Sequence, residues 1–471
     1  MPIDTMSTIN DTYNDYQKGF GTEDSPNWRE LAGKDARRIP ATLLEENSPN
    51  LGSAKIPPGR YTSRDYHREE VEKVWKRTWQ VVCREDEIPN PGDHFVYDVA
   101  GMSFLIVRTE DNEFKGYWNV CLHRGRKLVD KSGCGAKGFR CAYHAWSWDL
   151  KGNLAYYPGK WDFPDVEAEK FGLRETAIDT WGGFIFINPD ANAKPLANHM
   201  GSMPKHFESW PLEKRHTLWH VQKRINANWK VGIEAFLEAY HVVQTHPQAL
   251  SSVAEHGTQY DVWDEGEAAF SRLITPTAVP SDHSKEGTPL GAIADVWALL
   301  NGLRMDEANS LPEDIYDRAT LAEWRRHSLG EMTKADYSDV PDAMMLDSIQ
   351  YWLFPNFCPW FGEGLPLIYQ FRPDADDPDT CFMDVWMLVR SPDEGPAPVA
   401  PEVIRLGPDD KFEPHIGAMG LIFDQDDFNM PQVQEGLKTW PGDPDGVTLA
   451  RYQEMRVRFL HQILTRVMST P

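Results

Sequence analysis

The stretch from residue 121 to 144, CLHRGRKLVDKSGCGAKGFRCAYH, holds Cys121 and His123 in a C-x-H clip and Cys141 and His144 in a C-x-x-H clip, with 17 residues between the clips. Thiolates and imidazoles suit both structural zinc and iron–sulfur centres, so ligand identity alone does not separate them. Ligand order does. Zinc fingers usually pair two Cys in one clip and two His in the other. Here each clip supplies one of each, as needed if one iron takes both thiolates and a second iron both imidazoles. Cys134 lies off both clips and is expected to be unligated. Six Cys in 471 residues are too sparse for a disulfide framework, and clustering with His points to metal.

The mixed ligand set is that of a Rieske [2Fe–2S] centre, in which neutral His ligands raise the potential above that of an all-Cys cluster. Within residues 121–144, Arg124, Arg126, Lys127, Lys131, Lys137 and Arg140 oppose only Asp130, a net +5 in a chain of net charge -24. Such a collar stabilises an added electron and steers an acidic electron carrier towards the cluster. The ordinary alternative is a solvated loop.

A second constellation lies in NWKVGIEAFLEAYHVVQTHP, where His241 and His246 stand five apart and Glu238 three before the first. On a continuous helix five residues leave the two rings about 140° apart. The helix must therefore end between them, and Pro247 biases His246 out of the α region. Carboxylate partners are available in LIFDQDDFNMPQVQEGL as Asp424, Asp426 and Asp427. A calcium loop is disfavoured, because Phe428 and Asn429 stand where it needs an oxygen ligand and a Gly. An acid-rich helix N-terminus is the ordinary explanation for some of the three. Two His and one carboxylate make the facial triad of non-heme Fe(II) oxygenases.

These residues need elements to carry them. Residues 1–55 are polar and broken by Pro and Gly, and read as an N-terminal arm. A helix is expected over TSRDYHREEVEKVWKRTW, and short β-branched and aromatic runs from about 92 to 190 predict a small antiparallel β domain holding the cluster clips. The spacing of Trp229, Ile233, Phe236 and Tyr240 predicts a helix over 228–244. Residues 275–345 read as an excursion, strands resume at SIQYWLFPNF, LPLIYQFRP and CFMDVWMLVR, and a long helix ends the chain. The expected domains are thus 1–55, 56–190 and 191–471. Tyr351, Trp352, Phe354, Trp360 and Phe361 are either pocket or core residues.

The two constellations in this order resemble the catalytic α subunit of Rieske non-heme iron aromatic-ring-hydroxylating oxygenases, over about residues 60–465. The family's C-x-H-R-G and C-x-Y-H patterns fall on Cys121, His123, Arg124, Gly125, Cys141, Tyr143 and His144, with Trp146 following. Its N-W-K and acid-x-x-H-x-x-x-x-H patterns fall on Asn228, Trp229, Lys230, Glu238, His241 and His246. The third iron ligand precedes a V-Q-x-G stretch, here Val433 to Gly436, which implies Asp426, with Asp427 as the alternative. Ala145 replaces the Gly usual after the second cluster His, and Glu238 replaces an acid that is often Asp.

The resemblance implies an α+β fold, with a β-rich Rieske domain on a catalytic domain whose antiparallel sheet is flanked by helices. It implies a terminal oxygenase that takes O2, and NAD(P)H electrons from a ferredoxin or flavin reductase, to dihydroxylate an aromatic or other hydrophobic ring, as in aromatic hydrocarbon catabolism. A monooxygenase or O- or N-demethylase is the alternative; a zinc-stabilised binding or electron-transfer protein is the rival of another class. It also implies a homotrimer, or an α3β3 assembly with a small subunit, in which Glu238 bridges His241 to the cluster His144 of a neighbouring subunit.

The remaining composition excludes much else. Acidic residues outnumber basic ones 72 to 48, so nucleic acid and anionic membrane are poor partners. The first twenty residues lack the basic and apolar regions of a signal peptide, and runs such as FLIV and GGFIFI are too short to span a bilayer. A cytoplasmic location is expected.

Overall fold

The computed structural model describes residues 26–303, 311–395, 398–441 and 446–470. The first half is built of short strands: β1 Gln80–Arg84, β2 His94–Val99, β3 Met102–Arg108, β4 Phe114–Trp118, β5 Phe139–Arg140, β6 Ser147–Trp148, β7 Leu154–Tyr156, β8 Ala177–Trp181 and β9 Phe184–Asn188. They pair as three antiparallel sheets, β1-β9-β8, β2-β3-β4 and β5-β6-β7. In β2 the alternation HFVYDV buries Phe95, Tyr97 and Val99 and leaves the residues between them half-buried, as a period of two requires. Ala100 and Gly101, both at positive φ (49° and 76°), turn β2 into β3 with the twist that a two-residue hairpin loop prefers.

The second half is organised by one sheet of β10 Arg215–Ile225, β11 Gln259–Asp264, β12 Ala269–Thr275, β13 Ser348–Leu353, β14 Phe357–Phe361, β15 Leu367–Pro373, β16 Cys381–Arg390 and β17 Ile404–Leu406. Its order is β11-β12-β13-β14-β15-β16-β10-β17. Neighbours are antiparallel except β17, which runs parallel to β10. Strands β12 to β15 are buried throughout, because both faces of the sheet are covered. Trp352, Tyr369, Phe371 and Met383 join a core with Trp229, Phe423 and Phe459. Tyr351, Phe361, Ile368 and Trp386 join another with Phe184, Phe186 and Leu321. Burial on both faces is why these strands read as continuous apolar runs. Tyr351, Trp352, Phe354, Trp360 and Phe361 are all buried in these two cores.

The helices that matter for the site are α1 Arg64–Glu70, α2 Trp229–Glu234, α3 Val242–Thr245, α4 Pro289–Leu300, α5 Arg318–Thr333, α6 Ala418–Lys438 and α7 Met455–Ser469. Where one helix is expected from 62 to 79, α1 gives way to a π-helical turn, Val71–Trp75. Where one is expected from 228 to 244, α2 stops at Glu234 and α3 starts at Val242. The Ala239 N–H donates to the Tyr260 hydroxyl (3.0 Å) and the His241 N–H to the Glu238 carboxylate (2.9 Å). Side chains thus take donors that a helix would send to carbonyls four residues back. The excursion after residue 275 carries α4 and α5, which pack Ile293, Val296, Leu321 and Leu329 into the second core.

Of the expected arm, residues 1–25 lie outside the described residues. Trp28, Ile39 and Leu43 join the second core, and the Arg272 guanidinium donates to the carbonyls of Thr42 (2.7 Å) and Glu45 (2.9 Å). Among the described residues no helix is long and apolar enough to cross a membrane. The fold is α+β.

Candidate metal centres

The two cluster clips fold into matching loops. In the first, the Gly125 N–H donates to the Cys121 carbonyl (2.9 Å) and the Cys121 N–H to that of Arg126 (2.8 Å). In the second, the Ala145 N–H donates to the Cys141 carbonyl (3.0 Å) and the Cys141 N–H to that of Trp146 (2.8 Å). The turn residue has positive φ in both, 76° at Gly125 and 64° at Ala145. A Gly after the second cluster His therefore has a steric reason, and Ala145 holds the same turn at a cost of about 1–2 kcal/mol.

Both loops deliver their donors to one place. Cys121 and Cys141 are buried. Burial pushes the Cys121 thiol up, and backbone N–H groups of His123 and Arg124 aimed at the sulfur pull it back. The rings of His123 and His144 lie 4.6 Å apart between centroids, and the Nδ1 of each is buried without a hydrogen-bond partner. An unsatisfied buried nitrogen costs about 1–3 kcal/mol unless something coordinates it. Two buried sulfurs and two orphaned ring nitrogens fit a mixed-ligand [2Fe–2S] cluster held by Cys121, Cys141, His123 and His144. Trp146 stacks on the His123 ring (5.2 Å, 6°) and Phe163 meets its edge, which walls that ring from water on two sides. Cys134 is exposed.

The second constellation is assembled from two elements. His241 is the N-cap of α3 and His246 its C-cap, at φ -123° and ψ 57° just before Pro247, and Asp426 lies within α6. Their ligand atoms all lie within 4.8 Å of one another. Asp426 Oδ1 is 3.0 Å from His246 Nε2 and 3.6 Å from His241 Nε2. The other ring nitrogens are both engaged: His241 Nδ1 with Glu238 Oε1 (2.8 Å) and His246 Nδ1 with Gln425 Oε1 (2.8 Å). Acceptors on Nδ1 keep the proton there and leave each Nε2 free to ligate. The three residues fit one divalent iron with open positions. Burial opposes charging His241, but the Glu238 and Asp426 carboxylates outweigh it and push its pKa up to about 9, so a metal binding there would displace a proton from Nε2.

Neighbouring acids go elsewhere. One residue along α6 is a turn of about 100°, and Asp427 faces the buried Lys223 ammonium at 3.4 Å. Asp424 accepts the N–H groups of Phe412 (2.8 Å) and Glu413 (3.3 Å), capping the short helix Glu413–Ile416. An acid at a helix N-terminus is thus present, though it caps the preceding helix from inside the next. Both Glu238 hydrogen bonds go to His241, and neither goes to His144 of the same chain. Gln425 and Lys223 were not singled out from sequence; an amide before a ligand and a Lys on a strand carry no signal there.

Residues 78–166 match the Rieske [2Fe-2S] domain, and residues 205–470 match the family described as ring hydroxylating alpha subunit (catalytic domain). The second match covers more than half of the chain, and the protein belongs to this family of Rieske oxygenase α subunits. A Rieske cluster and a mononuclear iron are the cofactors of these two domains. The chain is similar to the carnitine monooxygenase oxygenase subunit of Escherichia coli strain K12, 32% identical over 200 residues, covering 42% of this chain and 54% of that protein. It is 30% identical over 222 residues to the biphenyl 2,3-dioxygenase subunit alpha of Rhodococcus jostii strain RHA1, covering 46% and 48%. It thus spans about half the length of the curated relatives it matches. Among solved structures, a quaternary ammonium Rieske monooxygenase in complex with L-carnitine shares the fold at TM-score 0.62 and 17% identity, over 90% of this chain and 100% of that one. A naphthalene 1,2-dioxygenase with indole bound does so at TM-score 0.60 and 19% identity, over 90% and 94%.

Proposed function

We propose that this protein is the terminal oxygenase of a multicomponent system that uses O2 and NAD(P)H-derived electrons to dihydroxylate an aromatic or other hydrophobic ring. The observation that carries this reading is the pairing, in one chain, of orphaned Nδ1 atoms on His123 and His144 with the convergent set of His241, His246 and Asp426. The cluster supplies electrons one at a time and the iron supplies the oxygen chemistry. The chain's own residues hold ligands, fix tautomers and exclude water. Monooxygenation is the second reading, favoured by the likeness to carnitine monooxygenase subunits. Incubation with a panel of ring compounds under labelled O2 tests both readings. Two labelled atoms in the product support dihydroxylation and one supports monooxygenation, while none at all from metal-replete protein with reductant overturns the oxygenase.

A second copy of the chain fits this function. Beside Glu238 lies a recess of about 350 Å³ whose lining is largely apolar, with Val231, Met430, Val433 and Leu437, and carries the carboxylates of Glu234, Glu238 and Glu454 beside the ligands His241 and Asp426. The cluster segment, net +5, presents Arg124 over the exposed Tyr143 ring at 5.2 Å. The three glutamates at this recess and the cationic tip are complementary in charge, which supports a homotrimer in which Glu238 links His241 to His144 of a neighbouring subunit. On this reading Glu238→Gln leaves both metals bound and the cluster reducible by dithionite. Its re-oxidation with O2 and substrate then slows by about 10- to 100-fold; an unchanged rate rejects the bridge.

A further inference from the structure

Apolar packing gives the segment that carries His246 little hold. Val242, Ala249 and Leu250, with Val253 packed against them, form a small cluster of their own, joined to neither of the two large cores. The segment is tied to other elements by polar contacts instead. The Ser281 N–H donates to the Leu250 carbonyl at 2.8 Å, Asn429 Nδ2 to the Thr245 hydroxyl at 3.3 Å, and the Ser251 hydroxyl to the Asp295 carboxylate on α4. A dense core is what ordinarily locks a rotamer, so a metal ligand on such a segment needs another device to fix its ring.

Two amides supply it. Gln248 stands two residues after His246, across Pro247, in the 3-10 turn Pro247–Ser251, and Gln425 stands one residue before Asp426 on α6. Gln425 Oε1 accepts from His246 Nδ1 at 2.8 Å and from Gln248 Nε2 at 2.7 Å, while Gln425 Nε2 lies 3.4 Å from Gln248 Oε1. The amides therefore face each other head to tail. Reversing either one alone would set nitrogen against nitrogen, so the pair fixes which Gln425 atom meets the imidazole. An oxygen there keeps the proton on Nδ1 and leaves Nε2, which faces Asp426 Oδ1 at 3.0 Å, for the metal. Gln425 meets the ring at the edge away from the metal and acts only through His246.

Resting on the reading of His246 as an iron ligand, we propose that Gln425 and Gln248 are positioning residues in a hydrogen-bonded strut that Ser251 and Asp295 anchor to α4. Because Gln425 adjoins Asp426 in the chain, the strut also holds two ligands from different elements in one register. The orientation of His246 thus depends on how the excursion after residue 275 is docked.

The test is anaerobic titration of Fe(II) into protein stripped of its mononuclear iron, in competition with a chromophoric chelator. EPR of the nitric oxide adduct, recorded with the cluster oxidised, reports the ligand geometry. Gln425→Leu lowers Fe(II) affinity about 10- to 100-fold and changes the EPR line shape. Gln425→Glu keeps an oxygen at His246 Nδ1 and restores affinity to within about three-fold of wild type. Gln248→Leu and Ser251→Ala each lower it about three- to ten-fold, and neither lowers it further in a Gln425→Leu background, because both act through that residue. The cluster spectrum is unchanged throughout. Wild-type affinity in Gln425→Leu, no rescue by Gln425→Glu, or losses that add in the double variants overturns the strut. Wild-type protein that takes up no Fe(II) overturns the oxygenase reading instead, and the same titration tells the two failures apart.

Discussion

Two adjacent carboxylates on α6 are chemically alike and differ only in direction. Asp426 meets two imidazoles, and Asp427 meets Lys223, whose ammonium is otherwise held by carbonyls such as those of Gly407 and Pro408 at 3.2 Å each. Asp426→Ala is therefore expected to empty the mononuclear site while the cluster spectrum stays intact. Asp427→Ala leaves iron bound but strands a buried cation, lowering stability by about 3 kcal/mol. Iron analysis and thermal melting of the two variants check this; loss of iron from Asp427→Ala alone reverses the assignment. At Ala145, φ of 64° makes a second prediction. Ala145→Gly relieves the left-handed strain and raises stability by about 1 kcal/mol, seen as slower loss of the visible cluster absorbance on heating. An unaltered or faster loss means the second clip is not under that strain.

At the scale of elements, the two halves are pinned together by a buried charge. His220 on β10 contacts Glu87, just after β1, through Nδ1 (2.6 Å) and Asp384 on β16 through Nε2 (2.9 Å), and it stacks on Trp386 (4.1 Å). Burial disfavours charging this ring, but the two carboxylates outweigh it and raise its pKa from 6.5 to about 9. A raised folded-state pKa gives stability that is fully present below the unfolded value of 6.5 and lost as pH climbs through about 9, on the order of 3 kcal/mol in all. Melting temperatures of wild-type protein measured across pH 6.5 to 9 are expected to fall by this contribution, and His220→Gln is expected to lack that decline. Parallel pH profiles for the two would show that the pair is not carrying the charge. The same scale explains the broken helix over 228–244: apolar spacing marks a helix, but Tyr260 and Glu238 capture the N–H groups of Ala239 and His241, and no local pattern announces Tyr260, 21 residues from Ala239.

For the whole molecule, the prediction concerns which chain feeds which iron. Among the described residues of one chain Glu238 hydrogen-bonds only towards His241, and on the proposed trimeric reading a neighbouring subunit supplies the other half of the bridge. A Cys121→Ser chain has an intact iron site and no working cluster; a Glu238→Ala chain has a working cluster and no bridge. Each alone is inactive. Co-expressed, they form interfaces in which a Glu238→Ala cluster faces a Cys121→Ser iron site, about a quarter of the total if mixing is random, and turnover returns to about that fraction of wild type. Complete inactivity of the mixed assembly, with both chains present, argues for electron transfer within a single chain.

What the sequence determined by itself is what neighbours in the chain decide. The cluster clips carry ligands, turn residue and spacing within a few positions of one another, so Cys121, His123, Cys141 and His144 were legible at once, as was the need for a break between His241 and His246 before Pro247. The α+β class was implied by the family resemblance, while runs of period two and apolar spacing of period 3.6 marked individual strands and helices. The resemblance implied Asp426 with Asp427 as the alternative, and tertiary structure brings Asp426 to the histidines, because a rotation of about 100° per residue becomes a choice only once α6 is docked. Tertiary structure alone revealed Gln425 on His246, Lys223 under Asp427 and His220 between Glu87 and Asp384, since each pair is far apart in sequence and each side chain is ordinary for its element. Local geometry is written in adjacent residues; the partner of a buried polar group is chosen by the packing that buries it.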